Sequence, residues 1–160
     1  METDFNNIHH SIINIEDFSL YWRFEGEPFP ERDLKMIEPL SMQGAKFLSD
    51  FLKNADLHAE EPFKTGFFKT VNYTNITDDN AVFIKEWLYG KGISPDKKVY
   101  LIWDMETAAI VPFRVLVEYF EDFYYPSSDD LTVFDEGLNW ALLFHHADIL
   151  FWGEGRLNIS

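Results

Sequence analysis

Three short runs near the end of the chain, each rich in β-branched and aromatic residues, restrict the possible folds more than any other feature. They are LTVFDEG, NWALLFHH and ILFWGEG, and turns containing Gly or Asp separate them. Runs of this length and composition are typical of strands, and short turns of this kind join neighbouring antiparallel strands. The sequence therefore predicts an antiparallel C-terminal meander.

A further strand and a helix are predicted just before the meander. Residues 99–103 lie in the run KVYLIWD, which is short, apolar and typical of a central strand. Pro112 favours the start of a helix, because the N–H that proline lacks would have no partner at that position. Apolar residues then recur at helical spacing, at Phe113, Leu116, Val117, Phe120 and Phe123.

Two helices are indicated on either side of Pro39. Pro30 favours a short helix through ERDLKMI, which Pro39 ends. Ser41 is a suitable N-cap for a second helix that reaches about Asn54. Its apolar side consists of Ala45, Leu48 and Leu52, widened by Phe47 and Phe51.

The patterns in the rest of the chain are less uniform. Thr77 is followed by Asp78, Asp79 and Asn80, which indicates the start of the helix AVFIKEWLYGKG, ending at the first or second glycine. Residues 67–73 predict a strand or an ordered loop. Residues 11–25 predict a short strand followed by a helical turn or a second strand.

These elements together predict an α+β fold, with helices packed on one face of a mostly antiparallel sheet. A chain of 160 residues has the length of one ordinary domain, and no repeat or Pro/Gly/Ser linker divides it. Hydrophobic residues make up 46% of the chain, too many for a disordered protein despite the charge. We therefore expect a single domain over residues 1–160, with residues 1–10 frayed.

The absence of cysteine excludes a disulfide scaffold, a thiolate zinc site and a cysteine nucleophile. The N-terminal segment METDFNNIHHSIINIEDF carries acids where an export signal would carry bases, and no apolar run is long enough to cross a membrane. The expected location is the cytoplasm, without contact to a membrane.

The formal net charge is -15, from 28 acidic and 13 basic side chains. Such a charge repels phosphate backbones, so direct binding of nucleic acid is disfavoured, and it attracts basic proteins. Solubility alone is the other explanation, since many cytoplasmic proteins are acidic.

The acids are distributed unevenly along the chain, because no Lys or Arg occurs between Arg114 and Arg156. That interval holds nine carboxylates: Glu118, Glu121, Asp122, Asp129, Asp130, Asp135, Glu136, Asp148 and Glu154. A surface for a cationic partner would explain them, and so would a solvated surface neutralised by bases from elsewhere in the fold.

Two tyrosines adjoin these acids, and aromatic rings beside carboxylates make good contacts for Arg and Lys. One tyrosine in the core and the other filling a turn is the competing interpretation. The predicted partner-binding residues are accordingly Glu118, Glu121, Asp122, Tyr124, Tyr125, Asp129, Asp130, Asp135 and Glu136.

Catalysis and metal binding are weakly indicated. His145 and His146 are adjacent, and adjacent strand residues point to opposite faces, so they are not expected to share an ion. His9 and His10 fall in the segment expected to fray. No G-x-S-x-G, H-E-x-x-H, P-loop or dinucleotide-binding motif occurs. We therefore expect no cofactor, no metal and no enzymatic activity, with an Asp/Glu-dependent enzyme as a minor alternative.

The run VPFRVLVEYFEDFYYPSSDDLTVFDEGLNWALLFHHADILFWGEG resembles the C-terminal half of small acidic bacterial immunity proteins of toxin–immunity systems, including contact-dependent growth inhibition. The shared features are an aromatic-rich helix, a YPSSDD-like turn, and strands carrying a Trp, a His pair and a terminal F-x-G. The resemblance covers residues 100–155, a little over a third of the chain.

The resemblance implies a protein that binds and neutralises a cognate toxin, often a nuclease, through an interface that varies between relatives. The acidity agrees with this role, because a nuclease that grips phosphates is basic and an acidic inhibitor can pair with the same Lys and Arg side chains. A nucleic-acid mimic that inhibits a basic host protein is the alternative, and it predicts a regular double row of carboxylates.

Overall fold

The computed structural model describes residues 2–26 and 29–157, which form one seven-stranded antiparallel sheet with short helices around it. The strand order is β1-β4-β3-β5-β6-β7-β2. The strands are β1 (Glu38–Pro39), β2 (Phe68–Asn75), β3 (Lys98–Asp104), β4 (Thr107–Pro112), β5 (Leu131–Phe134), β6 (Trp140–His145) and β7 (Ile149–Arg156). The helices are α1 (Glu31–Leu34), α2 (Met42–Asn54), α3 (Ala81–Tyr89), α4 (Phe113–Glu118) and α5 (Phe120–Phe123).

The predicted α+β class and C-terminal meander are confirmed, since β5, β6 and β7 are consecutive neighbours in the sheet. The predicted central strand is β3, which pairs with β4 on one side and β5 on the other. Strand β4 was not predicted. It follows β3 after a turn at Met105 and Glu106, and its sequence TAAIVP contains two alanines, which have low strand propensity.

The helices are not confined to one face of the sheet. Helix α2 packs with Phe67, Leu57 and the even-numbered residues of β3, including Ile102, on one side. Helices α3, α4 and α5 pack with the odd-numbered residues, including Leu101, on the other. The central strands are continuous apolar runs rather than alternating ones, so each of their faces needs a cover.

Capping residues set the helix boundaries much as the sequence predicts. The Ser41 hydroxyl accepts a hydrogen bond from the Gly44 N–H at 3.3 Å at the start of α2. Helix α3 ends at Tyr89, directly before Gly90. The helix predicted after Pro112 is divided into α4 and α5 at Tyr119, whose backbone leaves the helical region with φ -122°. All five of its predicted apolar residues are buried.

Residues of the N-terminal segment pack against the rest of the fold. Ile8 is 3% exposed, and the Phe5 ring lies with its centroid 4.9 Å from that of Phe47 and 4.8 Å from that of Phe51. Residues 11–25 contain short 3-10 turns and one bridge between Ile12 and Leu40 in place of the predicted strand. No helix among the described residues is long and apolar enough to cross a membrane.

Candidate functional site

Strand β5 separates the predicted binding residues into two groups at opposite ends of the sheet. Asp129 and Asp130 precede the strand, and Asp135 and Glu136 follow it. The four residues of β5 span roughly 13 Å. The sequence pattern predicts that both pairs of acids lie on one surface. The fold instead places them at opposite ends of β5.

Asp129 forms an ion pair with Arg23 of the same chain. The Arg23 Nη1 lies 2.7 Å from Asp129 Oδ2, and the two side chains are only 7% and 10% exposed. The guanidinium also lies over the Tyr125 ring, 3.9 Å from its centroid. The expected contact of Asp129 and Tyr125 with a partner's cation is thus made by the protein's own arginine, from a segment 106 residues earlier in the chain.

Tyr124 is also unavailable to a partner, because it is 1% exposed. Its hydroxyl donates a hydrogen bond to the His145 carbonyl at 2.5 Å. Burial raises the pKa of this tyrosine, and so does the neighbouring Asp148 carboxylate. Tyr124 is therefore a core residue that ties the segment after α5 to the end of β6.

Asp135 organises the turn between β5 and β6. Its carboxylate accepts hydrogen bonds from the Gly137 and Leu138 N–H groups at 3.0 and 3.1 Å, and from Trp140 Nε1 at 3.1 Å. Lys97 Nζ lies 3.4 Å away. Glu136 beside it is exposed, but this end of the sheet is mixed in charge because Lys97 and Arg156 both reach it.

The three remaining predicted acids lie on the helical layer. Glu118 accepts a hydrogen bond from the Tyr89 hydroxyl at 2.7 Å, which ties α4 to α3. Glu121 is exposed and Asp122 is half-buried. Burial raises the pKa of Asp122, and the neighbouring Glu121 carboxylate raises it further. These acids are thus separated from both pairs that flank β5.

The strand register assembles a different set of acids at the end of the sheet where β5 begins. Ile102 pairs with Thr132, and Leu131 pairs with Phe144. The continuation of these registers places Asp104, Asp130 and His145 side by side at the ends of three adjacent strands. Asp56 and Glu61, from the segment after α2, line the same cavity as these strand ends. We call Asp56, Glu61, Asp104 and Asp130 the acidic end.

A cavity of about 650 Å³ opens at the acidic end, and all four of these carboxylates line it. Lys53 is the one lysine or arginine among the described residues in its wall. The floor is apolar, formed by Leu52, Ile102 and Leu143 together with Trp103 and Met105. An apolar cavity rimmed by carboxylates can accept a long cationic side chain, whose methylene groups contact the floor while its charge stays at the rim.

His58 forms part of the cavity wall and was not among the residues singled out from the sequence. Its Nδ1 lies 2.8 Å from the Pro62 carbonyl and its Nε2 lies 3.0 Å from the Thr132 hydroxyl. Part of the ring stays in contact with solvent. Desolvation at the cavity wall nevertheless lowers the pKa of His58, against the raising effects of the Pro62 carbonyl and the Asp130 and Glu61 carboxylates.

Asp130 is held by His146. The carboxylate accepts hydrogen bonds from the His146 backbone N–H at 2.9 Å and from its ring Nδ1 at 3.0 Å. Burial alone would raise the pKa of Asp130, but these bonds bring it below its ordinary value. Asp130 is thus an anion at neutral pH, and of the nine predicted residues it is the one that lines the cavity.

A scan of protein-family models and searches of the curated proteins and of the solved structures return no match to this chain.

Proposed function

We propose that this chain is an immunity protein that binds a cognate toxin domain and neutralises it, with the acidic end of the sheet as the docking surface. The observation that carries the proposal is the convergence of Asp56, Glu61, Asp104 and Asp130 around one cavity. Three separate parts of the chain contribute these carboxylates, and Lys53 also lines the cavity.

Such a cluster raises the free energy of the isolated protein, because its like charges repel one another although all four residues are exposed. A partner that inserts a Lys or Arg side chain removes this repulsion and forms charge-assisted hydrogen bonds. The apolar floor adds contact area for the methylene groups of that side chain. The isolated protein therefore has a surface whose charge and apolar floor favour the binding of a basic partner.

A toxin that cleaves nucleic acid fits this chemistry, since its active site must attract phosphates with positive charge. The same cations would attract the acidic end and steer the two proteins together. The resemblance of residues 100–155 to immunity proteins supports the same class of partner. The location that follows from it is the cytoplasm.

The nucleic-acid mimic is less well supported. That alternative needs a regular double row of exposed carboxylates. The described acids of the interval after Arg114 instead lie at both ends of the sheet and on the helical layer, and Asp129 and Asp135 are engaged within the fold. The enzyme alternative requires two converging carboxylates with raised pKa, whereas the pKa of Asp130 is lowered.

The test begins with the toxin domains encoded beside this gene. Binding should be measured by surface plasmon resonance and protection by co-expression of the toxin with this protein. We expect the association rate to fall steeply as salt rises through about 0.1 M, where the Debye length is roughly 10 Å. If no neighbouring toxin binds and co-expression gives no protection, the proposed function is wrong.

A pair of double variants then locates the surface. Asp56→Asn with Asp104→Asn removes two charges from the acidic end, while Glu136→Gln with Glu154→Gln removes two charges from the opposite end. Asparagine suits position 56, where φ is 59°, and can still accept the Glu106 N–H at position 104. We expect the first pair to weaken toxin binding by about tenfold or more and the second to have little effect. If the two double variants weakened toxin binding equally, the acidic end would not be the docking surface.

A further inference from the structure

Two histidines and an aspartate converge at the rim of the cavity. One ligand atom from each of Asp130, His145 and His146 lies within 4.8 Å of the other two. Asp130 directly precedes β5, His145 ends β6, and His146 lies in the turn that leads to β7. The pairing of Leu131 with Phe144 sets Asp130 opposite His145.

The two rings lie on the same side of the sheet end, contrary to the expectation from strand alternation. That expectation requires both residues to belong to a strand, and β6 ends at His145. The turn reorients His146, so that the two imidazoles stack with their centroids 4.1 Å apart and their planes at 30°. Strand alternation therefore does not prevent the two imidazoles from binding the same ion.

One pair of donor atoms has the separation expected of two ligands of a single ion. Nitrogen and oxygen ligands bind Zn²⁺ at about 2.0 to 2.2 Å, so two ligands of one ion lie about 3.0 to 3.6 Å apart in tetrahedral or octahedral geometry. His146 Nδ1 and Asp130 Oδ1 are 3.0 Å apart. Glu61 Oε2 lies 3.5 Å from His145 Nε2 but does not belong to the group of three whose donor atoms all converge.

We propose that Asp130, His145 and His146 bind one divalent transition-metal ion of the Zn²⁺ type. Two imidazoles with one carboxylate favour Zn²⁺, Ni²⁺ or Cu²⁺ over the oxygen-preferring Ca²⁺ and Mg²⁺. The ion replaces contacts that these side chains now make with one another and with the backbone. His145 Nδ1 accepts the Ala147 N–H at 3.1 Å, and the His146 ring now bonds to Asp130.

The position of these residues also fixes where the ion would lie. Asp130 and His145 line the cavity, and the exposed His146 lies beside them. An ion held by them therefore borders the cavity and is reachable from solvent. The metal site does not depend on the proposed toxin binding, so either proposal can fail alone.

His9 and His10 provide a matched control within the same chain. Their rings are 4.2 Å apart, almost the separation of the pair at the rim, and both residues are exposed. Among the described residues they do not join a cluster of three potential ligands. Two neighbouring imidazoles alone are thus compared with two imidazoles beside a carboxylate.

The experiment uses the full-length protein without an affinity tag, after treatment with a chelator. Zn²⁺ is titrated by isothermal calorimetry, and Co²⁺ is added as a spectroscopic substitute whose visible absorption reports nitrogen and oxygen ligation. We expect one ion per chain. The double variant His145→Ala with His146→Ala should weaken Zn²⁺ binding at least tenfold, and Asp130→Asn should weaken it as well. His9→Ala with His10→Ala should leave it unchanged.

Circular dichroism of each variant distinguishes loss of the site from loss of the fold. Asp130→Asn is the decisive variant if the histidine variant unfolds, because asparagine can still accept the His146 N–H. The proposal is overturned if the wild-type chain binds no Zn²⁺ at one ion per chain. It is equally overturned if the His9 and His10 variant loses as much affinity as the variants at the rim.

Discussion

Asp33 is a buried carboxylate that no pattern in the sequence singles out. It is 3% exposed, although it lies in the short helix α1 among acidic and basic neighbours. Its two oxygens accept hydrogen bonds from Arg114 Nη1 at 3.1 Å and from the Tyr119 hydroxyl at 2.5 Å. This cluster joins α1 to the break between α4 and α5.

Substitution Asp33→Asn should destabilise the protein by about 1 to 3 kcal/mol, because it leaves the partly exposed Arg114 without its buried carboxylate partner. Urea denaturation at pH 7 measures the change. Glu31→Gln is the matched control, since Glu31 and Lys35 form an exposed pair 3.7 Å apart. That substitution should cost no more than about 0.5 kcal/mol. Equal losses would mean that burial of Asp33 contributes little.

The effect of Asp33 should depend on pH in one direction. The hydrogen bond from Tyr119, aided by Arg114, holds the pKa of Asp33 below its ordinary 3.8. A carboxyl with a lowered folded pKa stabilises the protein fully above its unfolded pKa, and that contribution is lost as pH falls through the folded pKa. The difference in stability between the wild type and Asp33→Asn should therefore shrink below about pH 4. A difference that stays constant down to pH 3 would contradict the lowered pKa.

At the scale of elements, the contact between β2 and β7 depends on one glycine. Gly153 pairs with Val71 of β2 and Ala141 of β6. A Cβ atom at this position would overlap the ring of Phe68, which is 5% exposed and packs against Phe63. The close approach of β7 to that ring therefore requires the absence of a side chain.

Gly153→Ala should destabilise the protein by about 1 to 3 kcal/mol through this overlap. Gly26→Ala is the control, because no atom of the described residues beyond its chain neighbours lies within 4 Å of the Cβ position there. In the Gly153→Ala background, Phe68→Leu should cost less than it does in the wild type. Thermal and urea unfolding of the four chains form a double-mutant cycle. Additive effects would show that the ring and the new methyl group do not meet.

At the scale of the whole molecule, the net charge of -15 is unevenly placed. Asp56, Glu61, Asp104 and Asp130 crowd one end of the sheet, and Glu106 lies in the turn beside them. The opposite end carries Lys97, Lys98 and Arg156 together with its acids. Self-repulsion should consequently be concentrated at the acidic end.

Glu106→Lys should stabilise the protein by a few tenths of a kcal/mol at about 0.01 M salt, where charges act over roughly 30 Å. The gain should disappear at about 1 M salt, where screening reduces that length to roughly 3 Å. Urea denaturation across this range measures both values. Glu136→Lys, at the mixed end, should give a smaller gain. A larger gain at Glu136 would contradict the uneven distribution of repulsion.

The elements that could be predicted are those whose signals are local. Ser41 caps α2 with its own side chain, Gly90 follows α3, and the three C-terminal runs pair as a meander through short turns. Capping, periodicity and turn formation involve residues a few positions apart, so a sequence contains all their partners. Strand β4 was not predicted because its two alanines have low strand propensity.

The candidate site depended on contacts that the sequence does not display. Arg23 neutralises Asp129 from 106 positions away, and Arg114 reaches Asp33 across 81 positions. The acidic end likewise exists only because the strand register aligns Asp104 with Asp130. The sequence by itself determined the longer helices, the C-terminal strands and the excess of negative charge. The tertiary structure decided which acids are neutralised and which meet at the cavity, because electrostatic interactions act through distance in space and not along the chain.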